Sequence, residues 1–189
     1  KPAIQNVVFR PITDNNTRVA EMLSGGIDAM PEVPPDTVKL FAEKPNRFRL
    51  YQTTGPHVWY VMLNTRSAPF NDVRVRQAVN YAINKPSLVD NILQGSADVA
   101  TGPIPSAFSW AYNNDVKPYP YDPQKARQLL KEAGAEGATL TFYVTEGGSG
   151  MLDPLPMAVA IQADLKAVGL QVKIETYEWN TYLVKVDAG

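Results

Sequence analysis

An α/β fold, with sheets flanked by helices, is what this sequence predicts, and three observations predict it. Short apolar, β-branched runs alternate along the chain with stretches of helical periodicity. Proline and glycine fall at the junctions, where proline suits a helix start and glycine a helix end. The 189 residues are 44% hydrophobic and 20% charged, a composition that buries a core rather than staying disordered.

Taken in order, Ile4 to Phe9 reads as a strand. Asn15 or Asn16 is expected to cap a helix through Leu23 that turns Val19, Met22 and Leu23 inward, and Gly25-Gly26 ends it. Ile27 to Met30 is a short strand candidate. Pro34-Pro35-Asp36 opens a helix over Thr37 to Glu43, and Phe48 to Thr53 reads as the next strand. His57 to Asn64 is the most apolar short run, which predicts a strand buried on both faces.

Asn71 to Gly95 reads as two helices around a corner. Asp72 caps the first, and Val75, Ala78, Val79, Ala82 and Ile83 form its apolar face. Pro86 cannot continue that helix but can begin the second, whose stripe is Leu88, Val89, Ile92 and Leu93. A long stretch rich in Gly, Pro, Ser and aromatics, Ser96 to Pro120, follows as loop. Asp122-Pro123 then starts a helix with Ala126, Leu129, Leu130 and Ala133 inward, ending at Gly134. Thr139 to Thr145 alternates as a strand. A loop from Glu146 to Pro156 leads to a helix ending near Val168, and Leu170 to Ile174 alternates as a half-buried strand. Tyr177-Glu178-Trp179 ends that strand, and Asn180 is placed to cap a last helix.

Composition excludes several classes. Net charge is −1, so there is no basic field for nucleic acid or an anionic membrane surface. No cysteine is present, which rules out disulfides and thiolate metal sites within this chain. No apolar run is long enough to cross a bilayer as a helix. The single histidine, His57, has no HxxxH or HxxE companion, so no metal or other cofactor is expected.

A hydrolase would need His57 beside an activated serine. Gly148-Ser149-Gly150 lacks the Gly-x-Ser-x-Gly elbow, so His57 reads instead as a hydrogen-bonding or cleft-lining residue. Glu146-Gly147-Gly148-Ser149-Gly150 precedes a helix but has neither the lysine nor the glycine frame of a phosphate cradle. It reads as a flexible loop at a strand end, where α/β folds commonly hold ligands. Trp179, near Tyr177 and Tyr182, is a better contact candidate than most aromatics because it ends a polar-faced strand. Trp110 and Tyr112 fit either packing or ligand contact. Asp72, Arg74 and Arg76 read as surface or interlobe ion pairs.

Several ordered motifs carry a family resemblance. Phe70-Asn71-Asp72-Val73-Arg74-Val75-Arg76-Gln77-Ala78-Val79 with Tyr81-Ala82-Ile83-Asn84-Lys85 is the most specific. Tyr121-Asp122-Pro123-Gln124-Lys125-Ala126 with Leu129-Leu130-Lys131-Glu132-Ala133-Gly134 is distinctive too. Ile161-Gln162-Ala163-Asp164-Leu165, Val168-Gly169-Leu170 and Tyr177-Glu178-Trp179 complete the set. Together they resemble the extracytoplasmic solute-binding proteins of ABC transporters, in the family that includes dipeptide-, oligopeptide-, glutathione- and nickel-binding proteins.

The resemblance implies a two-lobed, type II periplasmic-binding-protein-like fold that closes around a solute by hinge motion. Family members are more than twice this length, so the chain reads as a piece of a longer protein, with parts of both lobes. On that analogy 1–63 belongs to the first lobe and 64–189 to the second, which is truncated at its C-terminal end. The implied partners are a peptide or other small solute and the permease subunits. A monomer is expected at the periplasmic or extracellular face of the membrane, held to the membrane only through a lipid anchor or the permease of the full-length protein. The family's pocket tryptophan corresponds to Trp179. Its cleft-facing loop corresponds to Glu146, Gly148 and Ser149, and its hinge-crossing strand brings His57 and Tyr60 near the cleft. Peptide-binding relatives carry Arg-Pro-Tyr in the loop where this chain has Gly-Gly-Ser-Gly-Met. The resemblance implies no chemical step. The alternatives are a ligand-sensing regulatory domain of the same fold, or a hydrolase using His57 and Ser149.

Overall fold

The structure, a computed structural model, describes residues 3–148 and 151–188. Two compact units divide the chain at Leu50 and Tyr51.

The first unit is helical. Helix α1 spans Asn15–Ser24 and helix α2 Val38–Ala42, the latter preceded by a 3₁₀ turn at Pro35–Thr37. Asp14, not Asn15 or Asn16, caps α1. Its carboxylate accepts from the Thr17 amide at 2.7 Å and from the Thr17 hydroxyl at 2.6 Å. Gly25, at φ 84°, ends α1 with its amide on the Glu21 carbonyl. Val19, Phe41 and Phe48 are the buried centre, with the two phenyl rings edge to face at 5.0 Å.

The second unit holds the main core. Helix α3 (Val73–Ala82) buries Val75, Ala78, Val79 and Ala82 as its periodicity predicts, and Asp72 caps it by accepting from the Arg74 amide at 2.8 Å. At the corner, helix α4 is a single turn (Lys85–Ser87) that widens into a π turn over Leu88–Ile92, so the second helix is shorter and looser than expected. Helix α5 (Pro123–Glu132) packs along α3 through Ala126, Leu129 and Leu130. Arg74 spans the two helices, pairing with Asp72 at 2.6 Å and donating to the Glu132 carbonyl at 2.8 Å. Among the described residues Arg76 makes no ion pair of the kind expected; its guanidinium donates to the Phe70 carbonyl at 2.7 Å and its charge, after the Arg74 hydrogen bonds, helps to lower the Asp72 pKa.

Strands β1 (Thr139–Thr145) and β2 (Gln171–Tyr177) run parallel, in register from Thr139 opposite Gln171 to Thr145 opposite Tyr177. Helix α6 (Pro154–Ala167) connects them and covers one face with Ile161 and Leu165. It begins two residues before the loop was expected to end, because Pro154 and Pro156 sit in the first turn, where a missing amide costs nothing. Helix α7 (Trp179–Ala188) follows β2. Glu178, rather than Asn180, caps it by accepting from the Asn180 amide at 2.9 Å and the Thr181 amide at 3.3 Å. No described helix is long and apolar enough to cross a membrane.

The strands expected at Ile4–Phe9, Ile27–Met30, Phe48–Thr53 and His57–Asn64 do not form among the described residues. A strand exists only through a partner backbone, and these runs have none; Phe9 stays 91% exposed. His57–Asn64 is also not buried on both faces. Trp59 and Val61 pack against the second unit's core, while Tyr60 and Met62 point outward, so the run alternates with period two.

Candidate functional site

The outward face of 57–62 meets the start of α7 and the loop between β1 and α6. Val58, Tyr60 and Met62 supply one wall of an open concavity of about 200 Å³, with His57 and Trp59 beside them. Trp179, Tyr182 and Leu183 supply a second wall, and Met151 borders it from the loop. Trp179 is the first residue of α7 instead of the last of a strand. Residues three apart on a helix share a face, so its ring lies stacked on Tyr182, centroids 6.0 Å apart.

The β1–α6 loop is fixed at its base. Thr145 is buried, and its hydroxyl donates to the Gly147 carbonyl while accepting from the Gly147 amide at 3.3 Å. The Glu146 amide donates to the Tyr177 carbonyl at 3.3 Å, extending the β1–β2 pairing by one residue. This brings Gly148 against the Trp179 ring. Beneath, the Tyr177 hydroxyl donates to Glu175 at 2.7 Å, which pushes its pKa up to about 12, and Lys173 pairs with the same carboxylate at 2.7 Å. Burial is the main cause that raises the Tyr182 phenol above its ordinary value, and Tyr60 adds to it.

Four of the residues singled out from the sequence come together. His57, Tyr60 and Trp179 line one concavity, and Gly148 touches Trp179. Glu146 holds its place through its backbone, with an exposed side chain. Ser149 lies outside the described residues. Trp110, 86% exposed, and Tyr112, bonded to Thr101 at 2.8 Å, do not line the concavity. The concavity also takes in Val58, Trp59, Met62, Met151, Tyr182 and Leu183, with Thr145 in support, none of which the sequence marks as a site residue. Tyr182 was findable from its i+3 spacing to Trp179, and Met62 from its alternation with Tyr60. No cluster of His, Cys, Asp or Glu suited to a metal occurs among the described residues.

Comparison with known proteins gives this arrangement a family. The model of the bacterial extracellular solute-binding proteins, family 5, middle part, matches residues 1–189. A dipeptide-binding protein of Escherichia coli is 37% identical over 100% of this chain and 35% of its own length. Heme-binding protein A of Haemophilus influenzae is 34% identical over 98% of the chain and 34% of its own. The ABC transporter-associated periplasmic binding protein DppA of Helicobacter pylori, solved with the peptide STSA, superposes with a TM-score of 0.83 at 35% identity, over 92% of this chain and 33% of that one. The α/β fold is thus that of the periplasmic binding proteins, and the chain spans about a third of the length of the curated relatives it matches. With the whole chain covered by the family model, the protein belongs to the bacterial extracellular solute-binding proteins, family 5.

Proposed function

We propose that this chain is part of the solute-binding subunit of an ABC importer, which captures a peptide or other small solute and delivers it to a membrane permease without a chemical step. Residues 1–63 form part of its first lobe and 64–189 part of its second. The mature protein works as a monomer at the periplasmic or extracellular face of the membrane. His57, Tyr60, Gly148 and Trp179, with Glu146 and Ser149 in the adjoining loop, contact the solute.

The observation that carries the reading is that Tyr60, Met62, Trp179, Tyr182 and Leu183, from two separate stretches of the chain, line one open apolar and aromatic concavity beside the core instead of packing into it. Ligand pockets are lined this way, with a few polar groups for orientation. The matched relatives and the solved structure with a bound peptide support the solute class. Binding to two lobes stabilises the closed form by its differential affinity, which gives the permease a shape to recognise.

The test is mass spectrometry of whatever co-purifies with the full-length protein, followed by calorimetry with that compound. A bound peptide or small solute released intact is the expected result. Consumption of the compound during incubation, or a full-length protein that binds no solute, overturns the reading.

A further inference from the structure

The β1–α6 loop meets the Trp179 ring at a residue without a side chain. Gly148 has φ 152°, a conformation L side chains rarely adopt. A Cβ built there overlaps the indole, with Cζ3 and Cδ2 only 2.7 and 2.8 Å away. Nonbonded carbons sit at about 3.5–4.0 Å, so the ring or the loop has to move. The loop is held by the buried Thr145 hydroxyl on Gly147 and by the Glu146 amide on the Tyr177 carbonyl. The ring has open space beside it, the concavity of about 200 Å³. The ring is therefore the part that yields, and it yields into the concavity.

We propose that Gly148 sets the size of the ligand subsite beside Trp179, and that this subsite takes an uncharged apolar or aromatic side group of the solute. The proposal rests on the solute-binding reading of the same face. Glycine lets the indole lie back against the loop and keeps the concavity open. The described walls are methionine, leucine, valine and aromatic side chains with His57, and include no Lys, Arg, Asp or Glu. The loop from 146 to 153 has no Lys or Arg, and its Glu146 side chain is exposed and is not among the residues that line the concavity. An anionic group entering the subsite would shed water without gaining a partner there, whereas an apolar group gains in proportion to the area it buries.

The experiment uses full-length protein labelled with 5-fluorotryptophan, with the Trp179 fluorine resonance assigned by its loss in Trp179→Phe. Gly148→Ala is expected to shift that resonance. In calorimetry with alanyl-phenylalanine and alanyl-alanine, the wild type is expected to prefer the first, and Gly148→Ala to lower that preference about tenfold. Gly147→Ala is the control, because a Cβ at Gly147 meets nothing within 4 Å; it is expected to change neither readout. An unmoved resonance in Gly148→Ala, an unchanged preference, or the same effect from Gly147→Ala overturns the proposal. Should neither dipeptide bind, the peptide reading fails and the fluorine resonance alone decides the role of Gly148. Should Gly148→Ala not fold, adding Trp179→Leu removes the ring it collides with and is expected to recover folding; no recovery also overturns the proposal.

Discussion

Two regions of the second unit both carry apolar side chains and do opposite things with them. The α3–α5–α6 region turns its apolar side chains onto one another, and Val75, Leu130, Ile161 and Leu170 are essentially sealed from solvent. The face built from 57–62 and the start of α7 leaves Tyr60 67% and Met62 50% exposed around an open concavity. Burial in the first region is satisfied within the unit and stabilises it. In the second it is deferred, and exposed apolar surface of this kind marks a place where something else binds. The same residue types thus serve as core or contact according to whether a facing element exists to cover them.

Four substitutions, made in the full-length protein, probe that contrast. Leu130→Ala acts where burial is complete and has the largest expected effect, a loss of about 3 kcal/mol of stability in denaturant unfolding, from lost transfer energy plus a cavity. A loss well under 1 kcal/mol would mean that the core is not the rigid half of the comparison. Trp179→Ala acts on the deferred face. It is expected to weaken solute binding by about 2 kcal/mol, some thirtyfold in Kd, with the melting temperature little changed. A large drop in melting temperature with Kd unmoved would assign Trp179 to the core.

Thr145→Val keeps the shape of a buried side chain but removes the hydroxyl that holds Gly147. It should cost about 1 kcal/mol in unfolding and also weaken binding through the loop; lost stability without weaker binding would separate the loop from the site. The smallest effect is expected from Asp72→Asn. The Arg74 side chain and amide hold the Asp72 carboxyl below its ordinary 3.8, at about 2. A carboxyl depressed in the folded state contributes stability that is present above the unfolded value and lost as pH falls through the folded one. The wild type should therefore lose stability between about pH 4 and pH 2, and Asp72→Asn should lose less over that window. Identical pH profiles would show that the cap carries no net electrostatic weight.

Much of the fold was legible because the signals were local. Pro123 and Gly134 bracket α5, Asp72 caps α3, and the period-two pattern of Leu140, Phe142 and Val144 marks β1. The illegible part was pairing. Ile4–Phe9 has the composition of a strand, but composition does not supply the neighbouring backbone that makes one. The caps at Asp14 and Glu178 were misplaced by a residue or two because several oxygen-bearing side chains compete near each helix start. The residue type and position of Trp179 point to a contact, but its place at the head of α7, which puts Tyr182 on the same face, depends on where β2 stops. Gly148 is legible in the sequence only as part of a glycine-rich loop; its contact with an indole thirty-one positions away is outside anything spacing reveals.

The amide of Asn84, at the turn between α3 and α4, donates to the Asp164 carboxylate on α6 at 2.9 Å, across a separation of 80 residues. A ribosome adding about 5–20 residues per second exposes Asn84 roughly 4–16 s before its acceptor is made. During that interval the turn lacks the acceptor that later pins it, and the apolar stripe of α3 waits for Ile161 and Leu165 as well. Helix α6 thus closes both at once, supplying the carboxylate for the turn and the last apolar cover for the α3 stripe that α5 already packs along.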